Sequence, residues 1–157
     1  MGALVYEALL LAALLLVAGF ALLPWISPGL STSGRELILP TLLLRFALLC
    51  VLFAGAGGYY VWSWTGGRRT LPMKTWRIRI LTVAGRNVRP LAALIRYLAG
   101  WIGPAAALIV YAAIRPLSLA AYAIVLVFLN YLWAIVDRDR QFLHDRIART
   151  VLQTTAG

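Results

Sequence analysis

The chain has 157 residues, of which 62% are hydrophobic and 13% are charged, whereas soluble domains are usually about 45 to 50% apolar and about 25% charged. This composition excludes a soluble basic enzyme, because a surface so poor in polar groups would not keep a protein dispersed in water. A bilayer core about 30 Å thick is crossed by helices of about 20 apolar residues, and uncharged runs of that length recur here. We therefore predict an integral membrane protein.

The formal net charge of +10 is concentrated in a loop and a tail that directly flank apolar runs. Cytoplasmic segments of membrane proteins are enriched in Lys and Arg, so we expect this loop, this tail and both termini to be cytoplasmic, in a bacterial inner membrane. The pattern also favours attraction to anionic lipid headgroups and argues against nucleic acid as a partner. The basic residues of the loop and tail are Arg68, Arg69, Lys74, Arg77, Arg79, Arg86, Arg89, Arg138, Arg140, Arg146 and Arg149.

The first two predicted spans cover about residues 3–23 and 37–64. The first stops at Pro24 because proline interrupts a helix, and the second ends before Gly66-Gly67. Small residues in the second span, such as the pair Ala54 and Gly58, would let another helix approach closely. An aromatic group near its end indicates the membrane interface.

The basic loop, residues 65–90, separates the second span from the third. Residues 75–81 alternate between polar and apolar side chains, which is typical of an extended strand, and residues 84–87 are turn residues. We expect a small extended or hairpin-like element on the cytoplasmic surface. Its apolar side would face lipid or protein, and its arginines would face water or phosphates.

The third and fourth predicted spans cover about residues 91–114 and 117–136. Gly100, Gly103 and Pro104 predict either a kink in the third span or a change there from an interfacial to a crossing helix. The cytoplasmic tail, residues 137–157, is predicted to contain a short charged helix on the membrane surface over residues 141–152. The expected fold is an all-α membrane protein with four transmembrane helices, and residues 1–157 form a single membrane domain.

Three ionisable residues fall within predicted spans, where each costs about 2.5 to 3.5 kcal/mol on insertion scales. Glu7 either extends to the cytoplasmic interface or binds a cation or proton. Arg45 is expected to face the bundle interior or a wet cavity and to bond carbonyls or hydroxyls there. Arg96 either extends to the interface or forms an ion pair with Glu7 at similar depth. We interpret Arg45 and Arg96 as structural or gating charges.

The sequence predicts no catalytic site, metal site or cofactor. Its single His and single Cys, His144 and Cys50, lie in different regions and do not supply a zinc site. His144 and Asp145 are adjacent, but neighbouring residues on a helix are expected to point away from each other. We therefore expect the protein not to be an enzyme.

Several stretches resemble the RDD family of small bacterial membrane proteins, which is named for one arginine and two aspartates. They are residues 6–7, residues 62–79 with their Gly, Pro, Met and Lys residues, residues 94–97 and residues 137–148. The tail and the 62–79 segment are the most specific. Together these stretches extend over nearly the whole chain.

By this resemblance, Asp145 corresponds to the family's second aspartate and Glu7 to the first, with glutamate in place of aspartate. The family's arginine belongs at the start of the first helix, where this sequence has Met1 and no arginine. Arg45 lies outside the family pattern. The family's molecular function is unsettled, and transport of ions or small solutes is the usual suggestion.

Two functions are compatible with these observations. In the first, the protein is a component of ion or small-solute transport, such as proton/cation exchange. Glu7 and Asp145 would then be the carboxylates that bind the ion or proton. A homo-oligomer or a membrane partner would complete the pathway. In the second, it is a non-transporting scaffold or accessory protein that binds anionic lipid or a protein partner. Its cytoplasmic basic face would comprise Arg68, Arg69, Lys74, Arg77 and Arg79.

Overall fold

The computed structural model describes residues 2–26, 41–114 and 120–154. The described residues fall into two compact units, the first within residues 1–59 and the second within residues 60–157.

The first unit consists of apolar helix. Helix α1 is Gly2–Ile26, and helix α2 is Leu42–Trp64, whose last residues belong to the second unit. The expectation that the first span stops at Pro24 is wrong, because a proline in a last turn removes a single backbone hydrogen bond and leaves the preceding turns intact. Before α2, the Thr41 hydroxyl accepts a hydrogen bond from the Leu44 N–H at 3.4 Å, as an N-cap does. The predicted start of this span at residues 37–40 lies outside the described residues.

The second unit contains the end of α2 and all the later elements. Short helix α3 begins after Thr70, whose hydroxyl accepts a hydrogen bond from the Met73 N–H at 3.4 Å, and Pro72 fits its first turn. The elements that follow α2 are α3 (Leu71–Thr75), β1 (Ile78–Thr82), α4 (Pro90–Gly100), α5 (Ile102–Ile114), a 3-10 helix (Ala120–Phe128), α6 (Leu129–Val136), α7 (Leu143–Ala148) and β2 (Thr150–Thr154).

The basic loop and the tail together build a two-stranded antiparallel sheet. Strand β1 pairs with β2 over its full length, and Ile80 lies opposite Leu152. The extended element predicted in the loop is therefore present, but its main partner is the tail rather than a hairpin within the loop, where a single bridge joins Leu81 to Asn87. The expectations of an all-α fold and of a tail helix that extends to residue 152 are therefore wrong, because residues 150–154 form a strand.

A small apolar core lies beneath this sheet. Met73, Ile80, Val88 and Ala93 are buried together, and Val61, Trp64 and Ala92 pack against them. The core thus joins the end of α2, the basic loop and the start of α4 in one unit.

The predicted kink between residues 100 and 104 is confirmed. Helix α4 ends at Gly100, and α5 begins at Ile102. In a continuous helix the Gly100 carbonyl would accept from the N–H of residue 104, which is a proline and has none. The Asn130 side chain of α6 replaces that donor: its Nδ2 donates to the Gly100 carbonyl at 2.7 Å and to the Ala99 carbonyl at 3.3 Å.

Helix α5 and the 3-10 helix approach each other closely at Gly103. A Cβ atom on Gly103 would lie 2.8 Å from the carbonyl oxygens of both Leu126 and Val127, a distance that neighbouring backbone cannot accommodate without moving. The predicted small-residue contact at Gly58 is not seen among the described residues, because a Cβ there would meet nothing within 4 Å.

The described chain is mostly helical and contains two stretches that are long and apolar enough to cross a membrane, Leu42–Trp64 and Pro90–Ile114. Shorter apolar helical stretches lie at Leu9–Ala21 and Ala121–Val136.

We predict that Gly103→Ala lowers the stability of the detergent-solubilised protein. The added methyl group overpacks the contact with the 3-10 helix, which should cost about 1 to 3 kcal/mol and appear as a lower thermal unfolding temperature. The matched control is Gly100→Ala, where an added Cβ meets nothing within 4 Å. Equal unfolding temperatures for the two variants would contradict the close approach.

Candidate functional site

A buried ion pair joins α4 to the tail. Arg96 lies on the face of α4 that packs against α7, and Asp145 lies in the first turn of α7. The Arg96 Nη1 donates a hydrogen bond to Asp145 Oδ1, and the exposed fractions are 5% for Arg96 and 2% for Asp145. Because water is almost entirely excluded from both groups, their interaction is screened far less than that of a surface pair.

Thr150 completes the geometry of this pair. Its hydroxyl donates to Asp145 Oδ1 at 2.9 Å and accepts from Arg96 Nη1 at 3.0 Å. The chain returns from α7 to β2 through Arg149, whose φ of 52° is left-handed, and this reversal places Thr150 beside Asp145. One carboxylate oxygen is thus shared by two donors, and α4, α7 and β2 meet at one point.

His144 lies beside the same pair. Its Nε2 is 3.4 Å from Arg96 Nη2 and 3.7 Å from Asp145 Oδ2. Because arginine nitrogens only donate, Nε2 acts as the acceptor, and we assign the proton of the neutral ring to Nδ1. The expectation that the His144 and Asp145 side chains point apart is wrong, since both converge on the Arg96 guanidinium. We call Arg96, Asp145, Thr150 and His144 the Arg96 cluster.

Burial holds the His144 ring in its neutral form. It lowers the pKa of His144 to about 3, and the positive charge of Arg96 acts in the same direction. The ring also stacks on Phe142, with centroids 5.6 Å apart. His144 is therefore uncharged throughout the physiological pH range.

An aromatic ring also contacts the Arg96 guanidinium. Its Cζ lies 4.9 Å from the centroid of the Trp64 ring at the end of α2, a cation–π geometry. Trp64 in turn contacts Tyr60 with centroids 4.7 Å apart, and Tyr60 contacts Tyr97 at 6.0 Å. The sequence placed Tyr60 and Trp64 at the membrane interface and did not predict the contact of Trp64 with Arg96.

A second charge cluster orders the turn between α6 and α7. Arg146 Nε donates to Asp137 Oδ1 at 2.9 Å, and its Nη2 lies 3.0 Å from Asp139 Oδ2. The Asp137 Oδ2 accepts from the backbone N–H of Gln141 at 3.0 Å. The hydrogen bond from Gln141, followed by the hydrogen bond and charge of Arg146, lowers the pKa of Asp137. Sequence reasoning identified these acids only as part of a charged tail.

The other predicted site residues lie elsewhere. Glu7 is half-buried on α1 and Arg45 is exposed on α2, both in the first unit. The predicted pairing of Glu7 with Arg96 and the interior role of Arg45 stay predictions.

The residues of the predicted basic face belong to the second unit. Lys74 and Arg77 are exposed, while Arg69 and Arg79 are half-buried. The exposed Arg68 donates to the Trp62 carbonyl at 2.6 Å and to Thr65 Oγ1 at 2.7 Å. The face therefore contains both exposed and half-buried charges, and one of them, Arg68, is hydrogen-bonded at the end of α2.

Comparison with known proteins gives one positive result. The model of the RDD family matches residues 1–149. No curated protein and no solved structure shows a significant match to the chain.

We predict that Asp145→Asn destabilises the protein by about 3 to 5 kcal/mol, because it leaves the Arg96 charge buried without its carboxylate. The control is Asp139→Asn, which removes an exposed partner of Arg146 and should cost at most about 1 kcal/mol. The double variant Arg96→Leu with Asp145→Leu should regain much of the loss, since it removes both charges. Thermal unfolding in detergent measures all three, and similar values for Asp145→Asn and Asp139→Asn would contradict the assignment.

We also predict that acidification weakens the fold through His144. The unfolded chain takes up a proton near pH 6.5, whereas the folded chain stays neutral down to about pH 3. Stability is therefore fully present above pH 6.5 and falls below it, by about 1 kcal/mol at pH 5.5. Unfolding measured between pH 7.5 and 5.5 should show this slope in the wild type but not in His144→Gln. An unchanged slope in the variant would refute the prediction.

Proposed function

The chain belongs to the RDD family, and we propose that it is a multi-pass protein of a bacterial inner membrane whose basic cytoplasmic unit is a scaffold on anionic lipid. Within this proposal α1, α2, the α4–α5 pair, and the 3-10 helix with α6 form four crossings. Both termini and the basic loop lie in the cytoplasm, because the positive-inside rule favours that side for arginine-rich segments.

Helix lengths support the four crossings. The 25 residues of α1 and the 23 of α2 correspond to about 37 and 34 Å at about 1.5 Å per residue. The 3-10 helix has 9 residues and α6 has 8, and the larger rise of about 2 Å per residue in a 3-10 helix extends this shorter segment to about 30 Å. Each length suffices for a hydrocarbon core of about 30 Å.

The bonding of Asp145 carries the scaffold proposal. Its Oδ1 accepts hydrogen bonds from both Arg96 and Thr150 in a buried setting, and its other oxygen faces His144. A cation would have to displace a guanidinium to reach this carboxylate. The arrangement is therefore better suited to fastening the tail onto α4 than to binding and releasing ions, and it holds the basic loop and tail as one rigid unit.

The surface of that unit is suited to a membrane interface. Trp76 and Leu71 are exposed beside the exposed charges of Lys74 and Arg77. Tryptophan and basic side chains together are typical of segments at headgroup depth. Each Lys or Arg near an anionic surface contributes about 1 kcal/mol of attraction.

Transport is the second candidate, and Glu7 is the observation that favours it. This carboxylate is half-buried on an otherwise apolar helix, and ionisable residues within spans commonly mark ion or proton pathways. In that case Glu7 exchanges a proton for a cation, and Asp145 joins the pathway only when Arg96 releases it. A homo-oligomer or a membrane partner completes the pathway.

The scaffold proposal predicts a preference for anionic lipid. Protein purified in detergent and mixed with equimolar phosphatidylglycerol and phosphatidylcholine should retain the anionic lipid selectively. Replacing Arg68, Arg69, Lys74, Arg77 and Arg79 together by Gln should reduce the preference at least about tenfold. The charge-preserving control, with Lys at the four arginine positions, should keep it.

Two results would overturn this proposal. The first is equal retention of both lipids by the wild type. The second is cation-driven proton flux in proteoliposomes above that of empty liposomes and abolished by Glu7→Gln, which would establish transport instead.

A further inference from the structure

A groove of about 740 Å³ opens on the second unit, within the range of about 300 to 1,000 Å³ usual for ligand sites. Its walls are the turn after β1, the start of α4 and the end of α7. This groove is separate from the Arg96 cluster and from the basic face formed by residues 68–79.

Three exposed arginines line the groove: Arg86, Arg89 and Arg149. None of them forms an ion pair with another described residue. Asp145 is engaged by Arg96, and the acids of the neighbouring turn are engaged by Arg146. The groove therefore holds three positive charges that the described part of the chain does not neutralise.

Hydrogen bonds hold the backbone at two of these arginines, Arg86 and Arg149. The Thr82 N–H donates to the Arg86 carbonyl at 2.8 Å, and the Arg86 N–H donates back to the Thr82 hydroxyl at 3.0 Å. The Val83 N–H donates to the Arg149 carbonyl at 3.2 Å, so that the turn and the end of α7 are joined. These hydrogen bonds thus fix the turn after β1 relative to the end of α7.

Arg149 has an unfavourable backbone conformation. It ends α7 with a φ of 52°, in a left-handed geometry that glycine adopts at helix ends without strain. An arginine here is strained, and strain of this kind is concentrated at functional positions. Its side chain lines the groove together with Arg86 and Arg89.

The groove also has an apolar side, at the start of a candidate membrane span. Val83 and Leu91 line it and are 69% and 67% exposed. Leu91 is the second residue of the candidate span Pro90–Ile114, so the groove lies where that span begins. A soluble phosphate compound would leave these side chains in water, whereas a phospholipid would cover them with the upper part of its acyl chains.

We infer that this groove binds the phosphate of an anionic phospholipid through Arg86, Arg89 and Arg149, while its acyl chains contact Val83 and Leu91. This inference rests on the proposed function and assigns it a specific site. Three guanidinium groups that line one groove suit a phosphate, because a guanidinium donates hydrogen bonds to phosphate oxygens in a planar fork.

The test is a titration of the full chain in detergent with phosphatidylglycerol, in which native mass spectrometry gives the dissociation constant of the first bound lipid. The groove variant is Arg86→Gln with Arg89→Gln. The control is Arg138→Gln with Arg140→Gln, which removes the same charge from exposed tail positions. We expect the groove variant to bind at least about tenfold more weakly than the control.

Arg149→Gly keeps the test independent of folding. Glycine relieves the left-handed strain, so the unfolding temperature should stay equal or rise while lipid affinity falls about fivefold. Equal affinities of the groove and control variants, or full affinity of Arg149→Gly, would overturn the groove site.

Competition by inorganic phosphate or glycerol phosphate at the concentration of the lipid would overturn the lipid assignment. A wild type that prefers phosphatidylglycerol despite these results leaves the scaffold proposal standing, whereas a wild type without that preference overturns both.

Discussion

The ion pair between Arg96 and Asp145 is the interaction on which the second unit depends. It joins two segments 49 residues apart in sequence and lies where α4, α7 and β2 meet. Burying two charges is expensive, and their attraction offsets that expense only when the geometry is good and further hydrogen bonds satisfy both groups. Thr150 provides hydrogen bonds to both groups, and the Trp64 ring adds a cation–π contact to the guanidinium. The tail is therefore held in one position rather than lying loosely along a surface.

Composition and periodicity predicted the helical parts of this fold. The apolar runs indicated the long helices, and the combination of Gly100 with Pro104 indicated the break between α4 and α5, because both properties are local. The sheet was harder to predict, since β1 was recognised from its alternation but its partner β2 follows a charged helix and pairs across a long sequence distance. A short strand carries little signal of its own, and its pairing is decided by tertiary packing.

The candidate site was predicted only in part for the same reason. Arg96 and Asp145 were both identified as notable residues, one from its depth and the other by family resemblance, yet nothing in the sequence indicated that they meet. Thr150 is an ordinary hydroxyl residue in a polar tail, and Asn130 is a single polar residue in an apolar run. Each gains its role from a group that another element supplies. Thr150 bonds the Asp145 carboxylate, and Asn130 bonds the Gly100 carbonyl, which has no backbone donor because residue 104 is proline.

The pairing of β1 with β2 has a consequence for biosynthesis. A chain is made from its N-terminus, so the loop that carries β1 leaves the ribosome well before residues 150–154 do. During that interval the strand has an open edge, which is prone to pairing with other chains. The arginines beside β1 repel such neighbours until the tail arrives. Assembly of this unit is thus a late event, completed only after the helices that separate its two strands have been synthesised.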